Sequence, residues 1–161
     1  MASMMPAAHA HATEQLAASP DISTEPLATL SLDVHPGTPV NASAGSAIIA
    51  GGAVRGARLQ GAVLPGSLEW SSDLTRGVTQ LTLHYGVLTE AGDRLQVTDR
   101  ASFPSGSGSG WARPITTFTE MEAMADPLAA LADISTGLTI GRLDASGLGA
   151  GSLRLELHRV L

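Results

Sequence analysis

Residues 78–88, VTQLTLHYGVL, show the clearest strand pattern in the sequence. Its larger apolar side chains stand at every second position: Leu81, Leu83, Tyr85 and Val87. Mostly polar residues fill the positions between them, and this period of two is typical of a strand with one buried face. Residues 95–103 repeat the alternation after a short connection that contains a glycine. The two segments therefore predict an antiparallel hairpin.

The same alternation continues on both sides of this hairpin. Residues 27–35, 54–64 and 153–160 predict further strands, and Pro65 with Gly66 predicts a turn. The glycines at 51–56 predict a turn or bulge rather than a phosphate loop, because no helix follows them. Only Asp126 and Pro127, a helix cap and a first helical residue, predict a short helical turn.

Many short strands with little helix are typical of a closed barrel or a sandwich. We predict an all-β fold, an antiparallel β-barrel with an internal pocket. Residues 1–26 lack periodicity and predict a disordered N-terminal arm, so that residues 27–161 form a single β-barrel domain.

Composition excludes several classes of chemistry. The 161 residues contain no cysteine, and all 9 basic residues are arginine, which excludes thiol catalysis, disulfides and a Schiff-base lysine. A net charge of -6 disfavours nucleic acid as a partner. No signal peptide and no membrane-length apolar run stand out, so we expect a soluble cytoplasmic protein without membrane contact.

Polar residues on the apolar faces of the strands are the best candidates for chemistry. Tyr85 and Asp99 share the apolar sides of their strands, and Arg113 does so between Trp111 and Ile115. An interior carboxylate is costly unless it is paired, so we expect Asp99 to lie beside Arg113. A salt bridge that only closes the barrel is the alternative to a catalytic or ligand-binding role.

Other side chains are candidates for ligand contact. Trp70 either stacks on a ligand or plugs one end of the barrel, and Trp111 shares the face of Arg113. His84 is the best-placed histidine for acid or base chemistry, although a solvated imidazole is its simplest interpretation. We predict no metal site, because a pair of histidines near the N-terminus has no third ligand.

The block from Gly51 to Gly66 carries a family resemblance. Its pattern, GGxxxGxRLxGxVLPG, is followed by Glu69 and Trp70, and residues 27–161 as a whole resemble the proteins grouped as domain of unknown function 3237. The resemblance implies an antiparallel barrel with an internal pocket, frequent self-association and no cofactor. It carries over four pocket positions: Arg58, Trp70, Tyr85 and Arg113. The family pattern has an acidic residue at Thr82 and an amide at Asp99, so this chain departs from the pattern at two positions.

Three functions fit these expectations. The first is a cofactor-free enzyme that performs proton transfer, as an isomerase, cyclase or dehydratase, on a small apolar oxygenated metabolite. In it Asp99 is the base, Tyr85 donates to a developing oxyanion and Arg113 holds charge, with Arg58, Trp70, Trp111 and His84 contacting the ligand. The second is a barrel that only binds such a ligand. The third is a structural homo-oligomer with a filled interior.

Overall fold

The computed structural model describes residues 22–35, 43–105, 111, 113–125 and 129–161. Eight antiparallel strands close into a barrel in chain order, and β8 pairs with β1. The strands are β1 Thr24–His35, β2 Ala44–Arg55, β3 Gly61–Asp73, β4 Val78–Thr89, β5 Arg94–Pro104, β6 Ile115–Ala123, β7 Thr139–Asp144 and β8 Ser152–Val160. The predicted all-β barrel is confirmed.

Two short helical segments interrupt the strands. Helix α1, Ala129–Thr136, connects β6 to β7, and a 3-10 turn, Leu148–Ala150, precedes β8. The predicted cap at Asp126 and Pro127 lies outside the described residues, as does most of the predicted N-terminal arm. No helix in the described ranges has the length and apolar character needed to cross a membrane.

Strand alternation builds the core. In β4 the residues with odd numbers from Thr79 to Val87 are buried, which is the face that the sequence predicts. Leucine and valine from the other strands, with Ile115 and Met121 from β6, fill the space between these residues, and Leu30, Leu83 and Leu155 have no exposed surface. The interior side chains of the described strands are packed against one another, so the internal pocket stays a prediction.

Three local expectations about the strands are wrong. The chain does not turn at Pro65 and Gly66; β3 runs through them with a bulge in its pairing to β4. The bulge accommodates the proline, which has no N–H to donate, and a Cβ on Gly66 would lie 1.9 Å from the His84 carbonyl oxygen. The turn lies earlier, between β2 and β3, so residues 54–64 are not one strand. Strand β1 begins at Thr24, ahead of the predicted boundary, because its first residues pair with β8.

The two ends of the barrel differ. At one end, which we call the α1 end, β1 and β7 begin and helix α1 covers the opening with the buried side chains of Leu131 and Ile134. At the other end, the aromatic end, Trp70, Phe103 and Trp111 pack against the core. The candidate site lies between these two covers.

Candidate functional site

A buried carboxyl group lies in the middle of the barrel. Asp99 is an inward residue of β5 and its exposed fraction is 0%. Tyr85 lies on the neighbouring strand β4 with 1% exposed, and its hydroxyl donates to Asp99 Oδ2 over 2.8 Å. The alternation of both strands predicts this inward placement, and the structure brings the phenol and the acid into contact.

Two threonines of β6 complete the environment of the carboxyl. Thr119 faces Asp99 directly across the strand pair, and its hydroxyl donates to Oδ1. The Thr117 hydroxyl donates to the same oxygen over 3.2 Å. Among the described side chains, Oδ1 therefore has two donors and Oδ2 has Tyr85 as its single donor. Neutral hydroxyls hold this carboxyl, and no salt bridge to it forms within the described part of the chain.

The cluster fits in the interior because a neighbouring residue, a glycine, has no side chain. Gly141 is a buried, inward residue of β7 that lies opposite Thr117. A Cβ at this position would come within 2.1 Å of the Thr117 hydroxyl oxygen and 2.9 Å of Leu155. The absence of a side chain at Gly141 thus lets Thr117 turn toward Asp99.

Burial raises the pKa of both central groups. It raises the pKa of the Asp99 carboxyl above its ordinary value of 3.8, and the hydrogen bonds from the three hydroxyls act in the opposite direction. Burial, and secondarily the charge on Asp99, raises the pKa of the Tyr85 phenol well above 10.0. Tyr85 therefore remains a donor, whereas Asp99 can change its protonation state at a higher pH than an exposed aspartate.

Arg113 is not part of this cluster, and the prediction that it faces the interior beside Asp99 is wrong. Its side chain is exposed. Strand β6 begins only at Ile115, after Pro114, so the alternation used to orient Arg113 does not reach back to it. The three hydroxyl donors satisfy the carboxyl, which therefore does not require a guanidinium.

The two tryptophans form an aromatic cluster at the aromatic end. Trp111 contacts Trp70 edge to face with ring centroids 5.9 Å apart, and it contacts Phe103 in the same way at 5.3 Å. Trp70 lies across Gly45, where a Cβ would come within 2.1 Å of the indole ring. Of the two predicted roles of Trp70, a plug at a barrel end fits this geometry. A ligand-stacking role for either indole stays a prediction.

His84 and Arg58 lie away from the buried carboxyl. His84 is half-buried on the opposite face of β4 from Tyr85, and its Nδ1 lies 3.1 Å from the Thr98 hydroxyl oxygen. Arg58 lies at the α1 end, where it forms ion pairs with Glu25 at 2.9 Å and with Asp133 of α1 at 2.6 Å. It helps to hold the helical cover in place.

Sequence reasoning missed the residues that complete the cluster. Thr117, Thr119 and Gly141 belong to strands whose inward face has a weak apolar pattern, and Phe118, 64% exposed, marks the wrong face of β6 as apolar. The usable signal is the alternation that Ile115 and Met121 establish, which places both threonines on their side of the strand.

Comparison with known proteins supports the fold. No family model and no curated protein sequence matches this chain. Several solved structures do: a conserved protein of unknown function from Rhodopseudomonas palustris has a TM-score of 0.72 at 18% identity, covering 89% of this chain and 99% of its own. A β-barrel-like protein from Acinetobacter baumannii has a TM-score of 0.64 at 18% identity, covering 89% and 98%.

A third similar structure is described as an enzyme from Penicillium herquei, with a TM-score of 0.66 at 17% identity, covering 87% of this chain and 95% of its own. At these identities the similarity shows the barrel fold and nothing further. The resemblance to the domain of unknown function 3237 family stays a prediction.

Proposed function

We propose that this barrel is an enzyme that performs proton transfer on a small, largely apolar, oxygenated molecule, with Asp99 as the group that carries the proton. The observation that supports the proposal is a fully buried carboxyl whose hydrogen-bond partners among the described side chains are all neutral hydroxyls. A barrel that needs only a packed core gains nothing from such a group, because burying an ionisable carboxyl costs free energy even where hydroxyls satisfy its hydrogen bonds. Buried groups with a shifted pKa concentrate at functional sites.

The protons balance in a simple sequence. Ionised Asp99 takes a proton from the carbon beside a substrate carbonyl, and the electrons of that C–H bond form an enolate. Once Oδ2 has received the proton, it no longer needs the hydrogen bond from Tyr85. The phenol then donates to the enolate oxygen, and Asp99 returns the proton at a second position to give the isomer.

The residues around this pair have supporting roles. Thr117 and Thr119 hold Oδ1, so that Oδ2 is the oxygen that faces the substrate. Leucines and valines of the barrel interior exclude water, which strengthens the electrostatic interactions at the carboxyl. No group in this sequence of steps requires a cofactor.

Deuterium exchange tests the proposal without knowledge of the natural substrate. Enolisable ketones such as cyclohexanone are incubated with the protein in heavy water, and loss of the proton signals beside the carbonyl is followed by NMR. Asp99→Asn should remove the catalysed exchange, a loss of roughly 10²-fold to 10⁴-fold for a positioned base. Asp33→Asn, on the exposed face of β1, should exchange at the rate of the unmodified protein.

Two results would count against the proposal. Equal exchange by the protein and by Asp99→Asn would remove the assigned role of Asp99. Ketones that bind near Asp99, as seen by NMR shifts of β5 amides, but never exchange would favour a barrel that only binds its ligand.

A further inference from the structure

A row of polar side chains runs from Asp99 to the α1 end of the barrel. Asp99 pairs with Thr119 across β5 and β6, Thr119 pairs with Thr139 across β6 and β7, and Thr139 pairs with Arg159 across β7 and β8. Directly paired residues of antiparallel strands place their side chains on the same face, with neighbouring Cβ atoms about 5 Å apart. The four side chains therefore form one continuous row.

The last two members of this row have unpaired polar atoms. Thr139 is 1% exposed, and its hydroxyl oxygen has no hydrogen-bond partner among the described residues. Arg159 Nε is also buried and also has no partner there. An unmade hydrogen bond in a buried position costs about 1–3 kcal/mol, so two of them on directly paired residues require an explanation.

The chemistry of the two atoms defines what would satisfy both. Arg159 Nε only donates, and the Thr139 hydroxyl can donate as well, so the shared partner is an acceptor oxygen. The charge of Arg159 is already met, because its two terminal nitrogens donate to Asp133 over 2.6 and 2.7 Å. A neutral carbonyl oxygen therefore fits better than a second carboxylate.

The cover over this position is a short helix. Helix α1 has 8 residues, too few for stability on its own, and its first turn has no acidic residue to interact with the helix dipole. Leu131 and Ile134 attach it to the core, and Asp133 attaches it to Arg58 and Arg159. Gly137, just after the helix, lies close to Arg159, since a Cβ there would come within 3.2 Å of Nε and crowd it.

We propose that Thr139 and Arg159 form a subsite beneath α1 that binds a carbonyl oxygen of the ligand, remote from the carbon that reacts at Asp99. The subsite extends the proposed function and rests on it. Thr139 and Asp99 lie two strand spacings apart, about 10 Å at the backbone and less at the inward side chains. The ligand class is thus a small apolar molecule with two oxygen functions at opposite ends.

A pair of probes that differ by one carbonyl tests this subsite. Cyclohexanone has one, and its diketone has a second at the opposite ring carbon. The exchange assay gives kcat/KM for each probe, and the ratio of the diketone value to the monoketone value, corrected for the number of equivalent protons, measures recognition of the second oxygen. We expect the unmodified protein to prefer the diketone.

Variants of Thr139 show whether its hydroxyl recognises the second carbonyl oxygen. Thr139→Val, which keeps the shape and removes the hydroxyl, should lower the ratio about tenfold, whereas Thr139→Ser should retain it. Thr116→Val, on the exposed face of β6, is the matched control and should retain the ratio. Thr139→Val should also unfold at no lower urea concentration, since the unpaired hydroxyl contributes no stability to the free protein.

The subsite and the function can fail separately. A ratio that is the same in Thr139→Val as in the unmodified protein would overturn the subsite while leaving the role of Asp99 intact. If neither probe exchanges, the proposed function fails for ketones. The subsite is then tested by the NMR signal of the Thr139 amide: saturable shifts on addition of the diketone support the subsite, and their absence overturns it.

Discussion

Removal of one oxygen atom, in Tyr85→Phe, should reveal how strongly the buried carboxyl depends on its partners. The ring keeps its packing, but Asp99 Oδ2 loses the 2.8 Å hydrogen bond that is its sole donor among the described residues. Oδ1 keeps both threonines. Leaving a buried acceptor unpaired costs about 1–3 kcal/mol, with the upper part of this range expected when the acceptor is charged.

The loss in free energy of unfolding caused by Tyr85→Phe should depend on pH. The folded-state pKa of Asp99 is raised, so its contribution to stability is complete at low pH and is lost as the pH rises through the folded-state value. The Tyr85 hydrogen bond lowers that pKa, and its removal raises the pKa further. The free energy of unfolding should therefore fall more in Tyr85→Phe at about pH 8 than at about pH 5.

Urea unfolding in a double-mutant cycle measures the dependence directly. In the Asp99→Asn background no charge is left on the acceptor, and Tyr85→Phe should cost less than about 1 kcal/mol, which gives a coupling energy of about 1–2 kcal/mol at the higher pH. If Tyr85→Phe lowers the free energy of unfolding equally in the two backgrounds and at the two pH values, the phenol contributes through packing alone, and its hydrogen bond does not stabilise the charged carboxyl.

Three further predictions concern the space around the carboxyl and the α1 cover. Gly141→Ala should lower the free energy of unfolding by about 1–3 kcal/mol in urea, because the added Cβ meets Thr117, whereas Gly149→Ala, where nothing lies within 4 Å, should cost little more than zero. Ile134→Ala should cost about 2–5 kcal/mol by the same measurement, since its side chain is 2% exposed. Asp133→Asn should speed amide hydrogen exchange in α1 more than in β4. Hydrogen bonds from Arg159 and Arg58 lower the pKa of Asp133, and amide exchange in α1 of the unmodified protein should also become faster as the pH falls through that pKa. If neither Asp133→Asn nor acid changes the protection of α1, Asp133 does not attach the helix to the barrel.

The barrel could be predicted from sequence because its cause is local. Residues 78–88 contain a complete period-two pattern, and the apolar face of such a strand has to be buried against other strands of a closed or packed sheet. The same pattern orients Tyr85 and Asp99 correctly, since each lies within an uninterrupted strand. The sequence predicts a turn at Pro65 and Gly66 because a bulge and a turn use the same residue types, and only the pairing of β3 with β4 distinguishes the two.

The cluster and the cover could not be predicted because their contacts are remote in sequence. Threonine fits either face of a strand, so Thr119 carries no signal of its own burial. The alternation of β6 does not extend back past Pro114, so it does not orient Arg113. Arg58 and Asp133 are 75 residues apart in sequence, and no local pattern in α1 indicates their contact.

Titration of the Asp99 carboxyl shows whether the barrel holds an ionisable acid in a buried site where no cation from the described residues pairs with it. With aspartate labelled at the side-chain carbon, the NMR shift of Asp99 can be followed against pH. We expect the Asp99 midpoint to lie above the ordinary value of 3.8 and to move higher in Tyr85→Phe. A midpoint at or below 3.8 would show that burial does not raise the pKa of this carboxyl.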